Sequence, residues 1–271
     1  MLFSIKMKNK IEFGNSVGYK IIEYATKKKI LDFLFSNIEE FNYRCSTLNT
    51  ENDLLKIKND YYFVSPNISG DEYLFISKKI NNIYYNVVIL KNSLSNLQNI
   101  NYNNIVIISL KVRLSAKTFN GTILDGKIVN LGGCCVFLIN DCFMLYGNNI
   151  IDNDVLQRHE KVNSFLDESY IIDNNMNVID FRLNKLNEIS DIKDLVYNRM
   201  KNSSYDFDSI LFISKRKNKK FIFYLKEIKY NLVEKILLGK KIDVDVIELF
   251  TKDSENELRR IGIAHIPTIK C

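Results

Sequence analysis

Between Tyr61 and Asp141 the chain carries a series of short runs rich in Ile, Val, Tyr and Phe: YYFVS, EYLFISKK, YYNVVILK, NIVIISLKV, GTILDGKIV and CCVFLIND. Turns containing Asn or Gly separate them, notably Asn81-Asn82. Such runs read as strands. Parallel neighbours need a crossover of about a dozen residues or more, usually a helix, whereas antiparallel neighbours need only a tight turn. The gaps here are too short for crossover helices, so this part of the chain is expected to form a mostly antiparallel sheet.

Helical patterns flank that region. Tyr19–Phe35 places Ile21, Ile22, Tyr24, Ile30, Leu31 and Leu34 near the helical period, and Thr50 precedes a short helical pattern, ENDLLKIK. Residues 1–60 are therefore expected to be a mainly helical segment packed on the core. Asp152 or Asp154 can cap a helix through Val155–Leu166, and Ser190 another through Ile192–Met200. SILFISKRKNKKFIFYLKEI reads as a hairpin with a basic turn. The last forty or so residues mix helical and strand patterns. The expected fold class is α+β with an antiparallel-sheet core over 61–235 and a C-terminal α/β extension over 236–271.

Composition excludes several classes. Of 271 residues, 46% are hydrophobic and 26% charged, which supports a packed core rather than disorder. Two prolines and ten glycines leave no flexible linker. The formal charge of +6 is compatible with an anionic partner. The basic runs Lys27–Lys29 and Ser214–Lys220 read first as solvated turns and second as nucleic-acid contacts. Cys45, Cys134, Cys135, Cys142 and Cys271 are odd in number and contain no C-x-x-C pair, so neither a disulfide framework nor a zinc site is expected. MLFSIKMKNK lacks the apolar stretch of a signal peptide, and no run is long enough to span a membrane. A reducing compartment such as the cytoplasm, with no membrane association, fits these features. His159 and His265 read as surface or capping residues.

Five segments carry chemistry-bearing residues in a notable order. The first is Asn67-Ile68-Ser69-Gly70-Asp71-Glu72. TILDGKIV follows, with Asp125, Gly126 and Lys127. VFLINDCFMLYG comes next, with Phe137 and Asp141, ahead of a helical pattern carrying Arg158. DSILFI contains Asp208 and Ser209, and YLKEIK contains Lys226 and Lys229. Together they resemble the covalent nucleotidyltransferase superfamily, and most closely its mRNA-capping guanylyltransferases. In that family the lysine of a K-x-D-G-x-R motif attacks the α-phosphate of a nucleotide, carboxylates hold a divalent metal, and cations hold the phosphates. The resemblance covers about Tyr61–Lys229 and implies the family's antiparallel nucleotidyltransferase domain. The family's OB-fold domain is not expected, because too few residues follow Lys229.

The resemblance also implies a dead site. Asn67 stands where the nucleophilic lysine would be, Ser69 replaces the aspartate, Glu72 the arginine and Lys127 a glutamate. An amide nitrogen is not a nucleophile. The nucleotide-pocket positions that remain are Gly70, Asp125, Gly126, Phe137 (the purine-stacking position), Asp141, Arg158, Asp208, Lys226 and Lys229. With charges exchanged at Glu72 and Lys127, an ion pair of inverted polarity is expected between them, at roughly 4 Å. The implied function is a binding or scaffold subunit in RNA synthesis or capping, with no catalytic residue, metal or cofactor. Its partner would be another protein subunit of such a complex, with RNA as a further candidate. Viral systems, where such a chain can be packaged in the virion, are one setting.

Other readings stand beside this one. An active capping nucleotidyltransferase using GTP and Mg²⁺ or Mn²⁺ would need a relocated lysine, with Lys56, Lys58, Lys78 and Lys79 as candidates. An unrelated α+β module is the third. Residue by residue, Asp125-Gly126 can be a hairpin turn, Phe137 a core residue, and Asp141 a structural partner of a backbone amide or of Arg158.

Overall fold

Residues 9–13, 16–38, 45–48, 53, 55, 57, 61–94, 101–215, 219–225, 238–243, 246–252 and 258–265 are described by the computed structural model. The chain divides into two compact units, Met1–Leu225 and Lys226–Cys271. In chain order, the first unit contains β1 (Lys10–Phe13), β2 (Ser16–Lys20), α1 (Tyr24–Asn37), β3 (Cys45–Thr47), β4 (Tyr62–Ile68), β5 (Asp71–Ile80), β6 (Ile83–Leu90) and β7 (Ile107–Ser109). It continues through β8 (Thr122–Leu131), β9 (Cys134–Leu145), β10 (Asn148–Asn149), α2 (Val155–Glu168), β11 (Asp180–Leu183), β12 (Asn187–Glu188), β13 (Phe207–Ser214) and β14 (Lys220–Tyr224). The second unit holds β15 (Leu238–Asp243), β16 (Val246–Lys252) and β17 (Leu258–His265), one antiparallel three-stranded sheet. Among its described residues there is no helix. The fold is mixed α+β, with mostly antiparallel sheets and few helices.

The larger sheet runs β1-β2-β7-β6-β5-β8-β9-β10, with β11 added in parallel to β9. The β5–β6 hairpin closes through Asn81 and Asn82 at φ 50° and 64°, the paired positive φ of a two-residue hairpin turn. Asparagine tolerates that region better than other non-glycine residues. The second sheet runs β12-β4-β13-β14-β3. Its β13–β14 hairpin pairs Ile213 with Lys220 and Ser209 with Tyr224.

The N-terminal segment differs from the helical expectation. Lys10–Phe13 and Ser16–Lys20 are strands that extend the large sheet, and the helix begins only at Tyr24. Ser16–Lys20 pairs with the edge of β7, and Lys10–Phe13 pairs with Ser16–Lys20 in turn, so these residues satisfy backbone groups of the sheet rather than prolonging a helix. ENDLLKIK falls largely outside the described residues. Asp154 caps α2 through a full capping box with Gln157. Ser190 caps nothing: it sits inside a 3-10 turn, Ile189–Asp191, which leads through Ile192–Asp194 into a π-helical stretch, Leu195–Met200.

Alternation along the strands sorts side chains onto opposite faces. On one face of the large sheet, Leu74, Ile76, Ile89, Ile123 and Phe143 bury against Ile30, Leu31 and Leu34 of α1. On the other, Phe75, Phe137, Phe165 and Phe181 form the centre of an aromatic core that α2 covers with Val162 and Phe165. Full burial of each such side chain is worth about 1.5–3 kcal/mol. The second sheet packs its outer face, with Tyr62, Val64, Ile210 and Phe212, on Leu195 and Met200. Its other face packs Phe63, Leu211 and Ile213 on Val155 of α2, and at the end of β4 Ile68 meets Val129, Val136 and Leu138 of the large sheet along an apolar seam. Cys135 and Cys142 are free thiols in the aromatic core; burial pushes the Cys135 thiol up to about 11.

Two glycines hold close approaches. Gly70 sits at the crossover from the second sheet to the first, where an added Cβ would lie 2.9 Å from the Ile128 carbonyl oxygen and from Val129 Cγ1. Gly126 lies mid-strand in β8, not in a turn, and an added Cβ would lie 2.5 Å from the Leu138 carbonyl oxygen and 2.8 Å from the Phe137 ring. Gly126→Ala is therefore expected to lower stability by about 1–3 kcal/mol through overpacking. Urea denaturation should show a lower midpoint at unchanged slope; an unchanged midpoint would mean that the Phe137 ring is not pressed against β8.

Candidate functional site

Strand alternation sets Glu72 on the same face as Leu74, and register sets Lys127 opposite Glu72 and Asp125 opposite Leu74. On β9, Phe137 and Ile139 point into the aromatic core, so strict alternation would send Asp141 there as well. A bulge prevents this. Asp125 pairs with Asp141 and Gly126 with Ile139, leaving Asn140 as the extra residue. Asp141 is thereby turned to the face that carries Asp125, beside the seam between the sheets.

Two adjacent buried carboxylates repel and need cations. Three elements supply them. Lys91, which follows β6, places Nζ 2.8 Å from Asp125 Oδ1 and 3.2 Å from Glu72 Oε2. Lys220, on β14, lies 3.7 Å from Asp125 Oδ2 and 3.9 Å from Asp141 Oδ2. Arg158, on α2, grips Asp141 bidentately, with Nε 2.7 Å from Oδ1 and Nη2 3.0 Å from Oδ2. The Cys142 amide also donates to Asp141 Oδ1 at 2.9 Å. Asp141 is fully buried and Arg158 nearly so.

Beside this cluster, Lys127 donates to Asn67 Oδ1 at 2.9 Å and to the Ile68 carbonyl oxygen at 2.8 Å. Asn67 Nδ2 donates to Ser209 Oγ at 2.7 Å. The first, second and fourth of the segments singled out in the sequence thus meet at one hydrogen-bonded point, and the second and third meet at Asp125 and Asp141.

Several expectations need correction. Glu72 and Lys127 face one another across paired strands, but among the described residues no ion pair joins them. Glu72 takes Lys91, and Lys127 turns inward to neutral oxygens. Phe137 lies in the aromatic core, fully buried against Phe75 and Phe181, and does not present its ring to a cleft. His159 is no surface residue: it is buried, and its Nε2 donates to the Asn140 carbonyl oxygen at 3.0 Å. Lys220 belongs to a basic run read as solvated, yet is buried. In the other run Lys27 is buried too, donating to the Asn103 carbonyl oxygen at 3.0 Å. Ser69 and Gly70 are exposed in the crossover turn and do not join the cluster. Asp208 sits at an irregularity in β13, between Phe207 and Ser209. Lys226 and Lys229 lie outside the described residues.

Sequence reasoning passed over Lys91 and read Lys220 only as part of a solvated basic turn. Lys91 carried a signal: it continues the alternation of Val87 and Ile89, both buried. A lysine on an inward-facing strand position implies a buried carboxylate partner.

The electrostatics follow from burial against pairing. Burial alone would lower the Lys91 ammonium, but Asp125 and Glu72 outweigh it and hold it above the ordinary lysine value. Burial pushes the Asp141 carboxyl up, while Lys220 and Arg158 draw it further down, so it stays below the usual carboxylate range. Burial lowers the His159 imidazole despite Asp141 nearby. Among the described residues, no group of His, Cys, Asp and Glu side chains is arranged to hold a metal. No helix of the described residues is long and apolar enough to cross a membrane.

Compared with known proteins, the chain matches no family model and no curated protein.

Two outcomes are expected. Arg158→Met, which strands Asp141, should cost about 3–5 kcal/mol. Glu72→Gln, at a carboxylate half exposed to solvent, should cost about 1 kcal/mol or less. Urea titrations of both variants check this, and equal losses would contradict the assignment of the buried pair. The second concerns pH. The depressed His159 and Asp141 groups stabilise the fold above their unfolded values, roughly 6.5 and 3.9, and lose that contribution as pH falls through their folded values. The raised Lys91 stabilises below about 10.4 and is lost as pH rises through its folded value. Melting temperature should fall as pH drops from 7 to 5, and His159→Gln should flatten that slope; an unchanged slope would assign the loss to other groups.

Proposed function

We propose that this chain is a catalytically silent relative of the mRNA-capping guanylyltransferases, acting as a binding or scaffold subunit in RNA synthesis or capping. The observation that carries this reading is the state of Asn67. It takes the place of the family's nucleophilic lysine, offers no nucleophile, and is held from both sides by Lys127 and Ser209. The neighbouring motif carboxylates are committed as well: Asp125 to Lys91, and Asp141 to Arg158. A metal or a triphosphate entering this seam would have to displace ion pairs that the protein already makes. The crossover from β4 through Gly70 to β5, which joins the two sheets at the first motif, is consistent with the same resemblance.

One observation favours a second reading, an active nucleotidyltransferase with a relocated nucleophile. The Lys127 amine lies 2.9 Å from Asn67 Oδ1, beside the vacated position. The lysines named from sequence are less suited. Lys78 donates to the Asn120 carbonyl oxygen and Lys79 lies over Tyr84, both toward the hairpin end of β5 and away from Glu72. Lys56 and Lys58 lie outside the described residues.

Incubation with α-labelled GTP and Mg²⁺ or Mn²⁺ separates the two. The silent reading expects no acid-labile, alkali-stable label on the protein, and none in Asn67→Lys, because an amine without positioned, charge-neutralised phosphates does not react. Label on the natural chain that disappears in Lys127→Ala would replace the silent reading with the active one.

A further inference from the structure

Along the seam, β4, β9, β11 and the stretch Leu195–Met200 line an open cavity of about 240 Å³. Its walls include Ile68, Leu138, Leu183, Leu195, Met200 and Phe207. Pockets that take whole small-molecule ligands run from about 300 to 1,000 Å³. This one is of the size that accepts a single bulky side chain, the usual form of an anchor site for a partner.

Three features give the cavity a chemistry. Arg182, Lys185 and Arg199 line it, and no acidic residue does. Arg182 gives Nε to Asp180 at 3.0 Å, and Arg199 gives Nε to Asp194 at 2.6 Å and Nη1 to Asn187 Oδ1 at 2.8 Å. Both remain half exposed, and with five N–H donors each, both keep hydrogens for another acceptor. The second feature is Asn184, buried at 7% exposure. It donates both amide hydrogens, to the Pro66 carbonyl oxygen at 3.1 Å and to Asn140 Oδ1 at 2.9 Å, so what it still offers the cavity is an acceptor oxygen. The third is the wall itself. Leu195–Met200 is π-helical, a geometry found frequently at functional sites. The same stretch exposes Tyr197 at 72%.

We propose that this cavity is a docking site for a peptide segment of a partner protein, with one bulky apolar residue flanked by aspartate or glutamate. The apolar side chain fills the cavity. A backbone N–H of the peptide reaches Asn184 Oδ1, and the flanking carboxylates meet Arg182, Lys185 and Arg199. Cations at a rim steer and select an acidic partner, while the buried anchor supplies affinity. The site goes beyond the reading given for the seam and does not rest on it: failure here leaves that reading untouched, and a GTP adduct at the seam leaves this site untouched.

The test is selection from a random phage-displayed peptide library on the full chain, followed by fluorescence polarisation with the fluorescein-labelled winner. The expected consensus is a large apolar residue between acidic ones. Replacing that residue by serine should weaken binding roughly ten-fold or more, the scale of an interface anchor. Ser203→Trp, which fills the cavity, and Lys185→Glu, an exposed charge reversal that leaves the fold intact, should each do the same. Glu72→Gln should bind as the natural chain does, and added salt should weaken binding. Failure of any peptide to enrich, a consensus without acidic residues, or winners that bind Ser203→Trp and Lys185→Glu undiminished would overturn the proposal.

Discussion

Asp125 and Asp141 are direct cross-strand neighbours in the interior of the protein, and this pairing sets requirements on much of the first unit. Burying one ion costs several kcal/mol even after relaxation. Two like charges in one site cost more, unless cations neutralise them. The cations arrive from three separate elements: Lys91 after β6, Lys220 on β14 and Arg158 on α2. The second sheet, the helix and the far side of the large sheet are thus tied to one pair of strands. Apolar packing along the seam is not directional, whereas a bidentate guanidinium–carboxylate contact is. That contact fixes the placement of α2 against β9 more narrowly than packing does.

The neighbouring residues make sense as a set. An ammonium at Lys127, turned toward the seam, needs oxygen acceptors. It finds one on Ile68 and one on Asn67, whose amide passes its own hydrogen on to Ser209. A second lysine at position 67 would face Lys127 within the same small volume, and the two charges would repel. The side chains of Asn67, Lys127 and Ser209 are therefore mutually compatible, each hydrogen-bonded to the next.

Most of the architecture was legible in the sequence where local chemistry leaves little choice. The Asn81-Asn82 turn, the β13–β14 hairpin, the antiparallel strands of the middle region and the Asp154 cap all follow from short-range rules. The N-terminal strands were not legible, because Ser16–Lys20 has no strand signal of its own and is ordered by the edge of β7. In the site, Asp141 with Arg158 was readable, since a carboxylate in an apolar strand demands a partner. The side of the sheet on which each residue lands was not. One bulge residue, Asn140, separates Phe137 from Asp141 and sends the ring into the core and the carboxylate to the seam.

Local sequence thus settles the type of each element, its turns and caps, and the need of certain buried groups for partners. These properties depend on backbone conformation and solvation within a few residues. Which lysine meets which carboxylate is another matter. Lys91, Lys127 and Lys220 are chemically equivalent along the chain, and only register, bulge and the approach of two sheets distinguish them. Their roles come from distances between residues far apart in sequence, and those distances exist only once the chain has folded.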